Sequence, residues 1–198
     1  MIPTHIDVLL ASASPRRQEL LSNMGIVFSI VKHRADETFP PELPPSEVAE
    51  YIANQKADSL SESLRQNQLL IASDTVVCLD DTILGKPNNE EEATAMLRRL
   101  SEKSHLVYTG VSLRLNNRSL SFTEETTVYL NAMTEGEINR YVRSAEPYDK
   151  AGGYAIQEWV GIAKIERIEG SYTNVVGLPT AQLHKTIKTF VDELNEMS

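Results

Sequence analysis

A single cysteine, Cys78, among 198 residues leaves no internal disulfide to form, which suits a reducing compartment, and its place in an apolar run points to a buried structural thiol rather than a catalytic one. Positive charge is also scarce. With 19 Lys and Arg against 28 Asp and Glu, the formal net charge of −9 excludes broad electrostatic binding to polymeric nucleic acid or to an anionic membrane surface. Any anion must be held locally. No apolar run approaches the roughly 18 residues a spanning helix needs. The N-terminus has no basic segment followed by a long apolar core, so neither membrane insertion nor export is expected, and a cytoplasmic location is. There is no internal repeat or low-complexity linker, and 41% hydrophobic content is enough for a sizeable core, so residues 1–198 read as one domain.

What the chain does have is an apolar strand running through small residues into a helix, over Asp7–Gly25. Ser14 suits the N-cap, Pro15 the first helical position, and Gly25 the left-handed residue beyond the end. At that start the hydroxyls of Ser12 and Ser14 and the guanidinium groups of Arg16 and Arg17 meet backbone N–H groups, where the helix dipole favours an anion. Two arginines in a first turn run against that dipole, and a bound phosphate explains them. A solvated first turn without a ligand is the plainer alternative.

Further along, Ile26–Val31 predicts a second strand, followed by a polar loop over Lys32–Pro45 that carries Asp36, Glu37 and four prolines. Ser46 is expected to cap a helix with an inward stripe of Val48, Ala49, Ile52, Ala53 and Leu60. Lys56 falls on that stripe, so its ammonium either snorkels to water or points into a cavity. Leu69–Leu79 is a strand-forming run that Ser73-Asp74-Thr75 is expected to break. A carboxylate in such surroundings calls for a strand edge and a cation or metal as partner, with a turn cap as the alternative. Gly85-Lys86-Pro87 is not a phosphate-binding P-loop, because Pro87 stands where a hydroxyl residue is required and the upstream glycine is missing.

Asn89 caps the next expected helix, and its acidic start at Glu90-Glu91-Glu92 follows the dipole rather than forming a metal cluster. Strands over His105–Leu115 and Ser119–Leu130 should pair antiparallel around Asn116-Asn117, and Thr134 with Glu137 forms a capping box. In Asp149–Gln157 the paired glycines permit close backbone approach, and the planar amide of Gln157 suits a base edge. Strands near Ile162–Ile168 and Thr173–Val176 and a final helix opened by Pro179 complete the reading.

Ser12-Ala13-Ser14-Pro15-Arg16-Arg17, Ala72-Ser73-Asp74-Thr75, Gly85-Lys86-Pro87, Asp149-Lys150-Ala151-Gly152-Gly153-Tyr154 and Gly177-Leu178-Pro179, in this order, closely resemble the Maf family of nucleoside triphosphate pyrophosphatases. The resemblance covers nearly the whole chain. It implies an inosine-triphosphatase-like α/β fold with a long mixed sheet, flanking helices, two lobes and a central cleft, in a homodimer. The implied reaction splits a nucleoside triphosphate into monophosphate and pyrophosphate. Arg16, Thr75 and Gln157 match the positions of the subgroup acting on dTTP and UTP, and Asp74 matches the proton acceptor. Ser73 stands where the family more often has alanine or glycine, and Glu102-Lys103-Ser104 replaces its usual glycine-containing turn.

The expected mechanism is attack of water on the α-phosphorus, with Asp74 as base and Mg²⁺ or Mn²⁺ held by Asp74 and Glu37. Arg16, Arg17, Lys56 and Lys86 would neutralise the phosphates, and Ser12 would position them. Two rivals stand beside this reading: a nucleotide-sensing or septum-regulating binding protein, and a house-cleaning enzyme for other modified nucleotides. A pure binder has no use for a carboxylate among cations, and Gln157 argues against a purine substrate.

Overall fold

The computed structural model describes residues 2–145 and 147–195, with side chains through residue 192. Among the described residues seven strands form one mixed sheet, in the order β2-β1-β3-β5-β6-β7 with β4 on β3. These are β1 (Asp7–Leu10), β2 (Phe28–Ile30), β3 (Gln68–Leu79), β4 (Thr82–Leu84), β5 (Ser104–Leu115), β6 (Arg118–Leu130) and β7 (Ile165–Glu169). The helices are α1 (Pro15–Asn23), α2 (Pro45–Asp58), α3 (Glu90–Leu100), α4 (Glu135–Ala145), α5 (Trp159–Lys164), α6 (Tyr172–Val176) and α7 (Thr180–Asn195). The chain falls into two compact units, one of Met1–Asp74, Thr109–Glu124 and Gly177–Ser198, the other of Thr75–Tyr108 and Glu125–Val176.

In the first unit β1 pairs in parallel with both β2 and β3, with Leu10 beside Ile30 and Ile71. Parallel strands need long crossovers, and α1 and α2 lie in these two. Leu10, Leu21, Leu69, Leu113, Leu183 and Phe190 are almost fully buried in its core. Each such side chain contributes about 1.5–3 kcal/mol on leaving water. Gly110 on β5 lets α2 approach closely, because a Cβ there would fall 2.2 Å from the Glu50 backbone nitrogen. α2 is also tied by polar bonds. Glu50 accepts from Ser121 at 2.6 Å and Thr123 at 2.9 Å, and Arg114 donates to Asp58 at 2.8 Å.

In the second unit β3 turns into β4 through Asp80 and Asp81, both at positive φ, as a two-residue hairpin requires. The core gathers Leu97, Leu100, Val107, Val128, Ile138 and Tyr141. The Asn89 side chain accepts from the Glu92 N–H at 2.9 Å, and the Thr134–Glu137 box closes in both directions, so α3 and α4 begin where their residues indicate.

Several local expectations are corrected. Ser14 occupies the N-cap of α1, but its side chain makes no capping bond; its own N–H donates to Ser12 Oγ at 3.2 Å. Ser46 lies inside α2, which starts at Pro45 after Pro44. Ser73-Asp74-Thr75 do not break β3, which runs unbroken for 12 residues. Its ladder is made by the backbone, which tolerates polar side chains where they face a polar neighbourhood. The strand expected near Ile162–Ile168 is present as β7 from Ile165 on, while Ile162–Lys164 close α5; the strand expected over Thr173–Val176 is helical, as α6. Ser171 explains α6: its hydroxyl accepts from the Asn174 N–H at 3.3 Å as an N-cap.

Candidate functional site

β1, β2 and β3 run parallel, and polar side chains gather where their shared pairing ends, from the chain leaving β1 and β2 and from β3 itself. Beyond the carboxyl ends of parallel strands is where open α/β sheets place ligands. Ser12 follows β1, His33 and Glu37 follow β2, and Asp74 lies three positions past Ile71, the last β3 residue paired with β1. Lys56 comes in from α2.

The Lys56 side chain is 5% exposed, so it does not snorkel. Its ammonium stands 2.7 Å from Asp74 Oδ1 and 3.4 Å from Glu37 Oε1. A buried ammonium without such partners would cost several kcal/mol, about the scale of an uncompensated ion. Glu37 itself is held at φ +57°, a conformation that a glutamate rarely adopts, and the surroundings must hold it there. Gln55 does part of this by donating to the Thr38 carbonyl at 3.0 Å, and Ser59 Oγ accepts from the Arg34 N–H at 3.2 Å.

Arg17 belongs to the same cluster. Its Nε donates to the Gly177 carbonyl at 2.8 Å and an NH group approaches Ser12 Oγ at 3.4 Å. Burial pushes the Arg17 guanidinium below the ordinary arginine range, opposed by Asp74 and Glu37 and reinforced by Arg16. Ser73, fully buried, turns its hydroxyl toward the same Gly177 carbonyl at 3.5 Å, so its extra oxygen is accommodated.

His33 is a member that sequence reasoning missed. Its Nε2 lies 3.5 Å from Glu37 Oε1, one helical-like step earlier in the loop. Burial, then the Lys56 ammonium, lowers its pKa, so the imidazole is neutral at pH 7. Its only sequence signal was spacing: a histidine four positions before an acid in a loop of mixed polarity.

Thus the structure gathers Ser12, Arg17, Glu37, Lys56 and Asp74 in the first unit, with Arg16 beside Arg17 on the first turn of α1. Thr75, Lys86 and Gln157 belong to the second unit. Thr75 follows Asp74 on β3, Lys86 is exposed after β4, and Gln157 is exposed before α5.

Among the described residues no three His, Cys, Asp or Glu side chains gather as a complete metal cage. The Asp74 and Glu37 carboxylates, converging on one ammonium, are the available hard donors. Mg²⁺ commonly takes one or two carboxylates and completes its shell with water and substrate phosphates, so this donor set fits such an ion with a phosphate present. Among the described residues no helix is long and apolar enough to cross a membrane.

An α/β sheet with a cluster of cations and carboxylates near its parallel strand ends has the chemistry to hold a phosphorylated ligand. The family model described as Maf-like protein matches residues 7–190, and the chain belongs to the Maf family. The dTTP/UTP pyrophosphatase of Christiangramia forsetii is 42% identical over 186 residues, covering 94% of this chain and 95% of that protein. The dTTP/UTP pyrophosphatase of Salinibacter ruber is 44% identical over 193 residues, covering 96% and 94%. Among solved structures, the Staphylococcus aureus Ham1 protein aligns over 63% of this chain and 71% of its own with a TM-score of 0.44 and 11% identity. The nucleoside-triphosphatase / dITP/XTP pyrophosphatase of Mycobacterium abscessus aligns over 97% and 98% at 0.43 and 11%.

Proposed function

We propose that the protein is a nucleoside triphosphate pyrophosphatase that hydrolyses dTTP and UTP to the monophosphate and pyrophosphate. The observation that carries this reading is the Lys56 ammonium set between Asp74 and Glu37, with Arg17 in the same cluster. The relatives named for dTTP and UTP supply the substrate class.

In this mechanism Asp74 orients a water and accepts its proton as the oxygen bonds to the α-phosphorus. The bond from that phosphorus to the bridging oxygen breaks, and pyrophosphate leaves with the electron pair. Lys56, Arg16 and Arg17 oppose the charge that develops on the leaving group, where most of the rate gain in phosphoryl chemistry arises. Ser12 holds a phosphate oxygen at the start of α1. Glu37 and Asp74 would hold Mg²⁺ or Mn²⁺, and the ion supplies charge neutralisation to the phosphate oxygens. For Thr75, Lys86 and Gln157 the support is the order and spacing of their motifs: Lys86 as a further phosphate cation, Thr75 and Gln157 with Arg16 as base and substrate selectors.

Uracil and thymine present an adjacent acceptor and donor that one planar amide can meet with two hydrogen bonds. A site built on such a pair rejects a base that leaves its polar groups unpaired. We assign the activity to residues 1–198 acting as one domain, in a cytoplasmic homodimer that engages neither membrane nor polymeric nucleic acid, in keeping with the net charge of −9. The test is a panel of triphosphates with pyrophosphate detection, with and without Mg²⁺. dTTP and UTP should be turned over well and CTP and ATP poorly; equal rates on UTP and CTP would overturn the substrate assignment.

A further inference from the structure

Gln157 is the third residue of a closed turn, Ala155–Glu158, in which the Glu158 N–H donates to the Ala155 carbonyl at 3.1 Å. A single hydroxyl grips both ends of that turn. Tyr141 Oη donates to Glu158 Oε2 at 2.5 Å and accepts from the Ala155 N–H at 3.4 Å. The other Glu158 oxygen lies 3.3 Å from the ammonium of Lys150, which also bonds Asp149 at 2.7 Å. Tyr141 and Lys150 are themselves buried, at 3% and 7% exposure, so neither can follow a moving loop. Burial, then the bond to Glu158, keeps the Tyr141 phenol above its ordinary range, so it stays a donor. The far side is closed as well: Gly161 of α5 packs so near that a Cβ would fall 1.9 Å from the Ile156 carbonyl oxygen.

Both ends of the turn that carries Gln157 are therefore held, while its own side chain is exposed. Selection by hydrogen bonds needs the amide placed to about half an ångström, which an unsupported turn does not provide. A turn free to shift would let the amide meet either pyrimidine.

We propose that Tyr141 and Lys150 are positioning residues for base selection, acting through Glu158 to hold the Gln157 amide in one place. This rests on the reading of Gln157 as the base selector. It adds two residues, from α4 and from the loop before the paired glycines, that need not touch the substrate.

The experiment is steady-state kcat/KM for UTP and CTP on Tyr141→Phe, Lys150→Met, Glu158→Ala, Glu158→Gln and Gln157→Ala. Tyr141→Phe and Glu158→Ala should lower the UTP to CTP ratio by about tenfold, the scale of one lost charge-assisted bond, mainly through a higher KM for UTP. Lys150→Met should move it the same way, and Glu158→Gln, which can still accept from Tyr141, should retain most of the preference. Glu158 is partly exposed, so its variants keep the test open should Tyr141→Phe fold poorly. If Gln157→Ala abolishes the preference and the Tyr141 and Glu158 variants leave it intact, the positioning role is wrong and the Gln157 reading stands. If Gln157→Ala itself leaves the preference intact, both fall. Equal losses on UTP and CTP with a lower Tm would assign Tyr141 to folding alone and also overturn the proposal.

Discussion

Lys56 of α2 and Asp74 of β3 share a bond of 2.7 Å although both sit where the chain could have placed hydrocarbon. An apolar pair of the same volume would hold helix and strand together at least as well, since a buried ion pair seldom exceeds its desolvation cost. The charges are there for what they face.

Lys56→Met should therefore lower stability by about 2 kcal/mol, because it leaves the Asp74 carboxylate without its ammonium. In the double variant Lys56→Met/Asp74→Asn at least half of that loss should return. Denaturant midpoints of the two single variants and the double one give the coupling directly. Additive losses would show that the pair is not coupled. Activity of Lys56→Met should fall sharply in either case.

Asp74→Asn should stay folded and lose turnover by about 10²-fold or more, the usual scale for a removed general base. Its asparagine can still accept from Lys56. Single-turnover pyrophosphate release with circular dichroism on the same sample is the measurement. Turnover near the parent's in a folded variant would take Asp74 out of the proton transfer.

Gly110→Ala should disturb the site from a distance. The added Cβ would fall 2.2 Å from the Glu50 nitrogen, so α2 must move away from β5 and carry Lys56 with it. We expect a loss of about 2 kcal/mol or more and reduced kcat, read by thermal melts and steady-state assays. An unshifted Tm would show that the helix has room to give.

Acid should weaken the second unit through His105. Burial lowers its pKa from 6.5 to about 4, and its Nε2 meets Tyr154 Oη at 2.7 Å. Between these two pH values the unfolded chain binds a proton that the folded chain does not, so stability falls as pH drops from 6.5 toward 4 and the loss levels off below that. The full loss is about 3 kcal/mol. His105→Gln should flatten that part of the stability curve in urea titrations across this range. A parent and variant with parallel curves would contradict it.

How much the sequence disclosed depended on how local each signal was. The caps of α3 and α4 were legible because Asn89, Thr134 and their partners lie within three residues of one another. The start of the Ile162–Ile168 run and all of Thr173–Val176 are helical despite their β-branched residues, because tertiary packing and the Ser171 cap outweigh that preference, while β7 occupies the rest of the first run. Asp74 stood out as a carboxylate in an apolar run, but the inference that it must break the strand confused side-chain character with backbone pairing. His33 was invisible because nothing periodic in its loop marks which residues face Glu37. The Tyr141 grip on Ala155 and Glu158 spans 14 and 17 residues and leaves no mark in either stretch alone.

The first unit is assembled from three stretches of chain, and its core includes Leu178, Leu183, Ile187 and Phe190 from the last of them. During synthesis the strands β1, β2 and the start of β3 emerge well before α7 and lack its apolar surface until that helix has followed them out of the ribosome. The residues gathered around Lys56 consequently wait on α7, so a nascent chain that has not yet released it carries no finished site to act on the nucleotides around it.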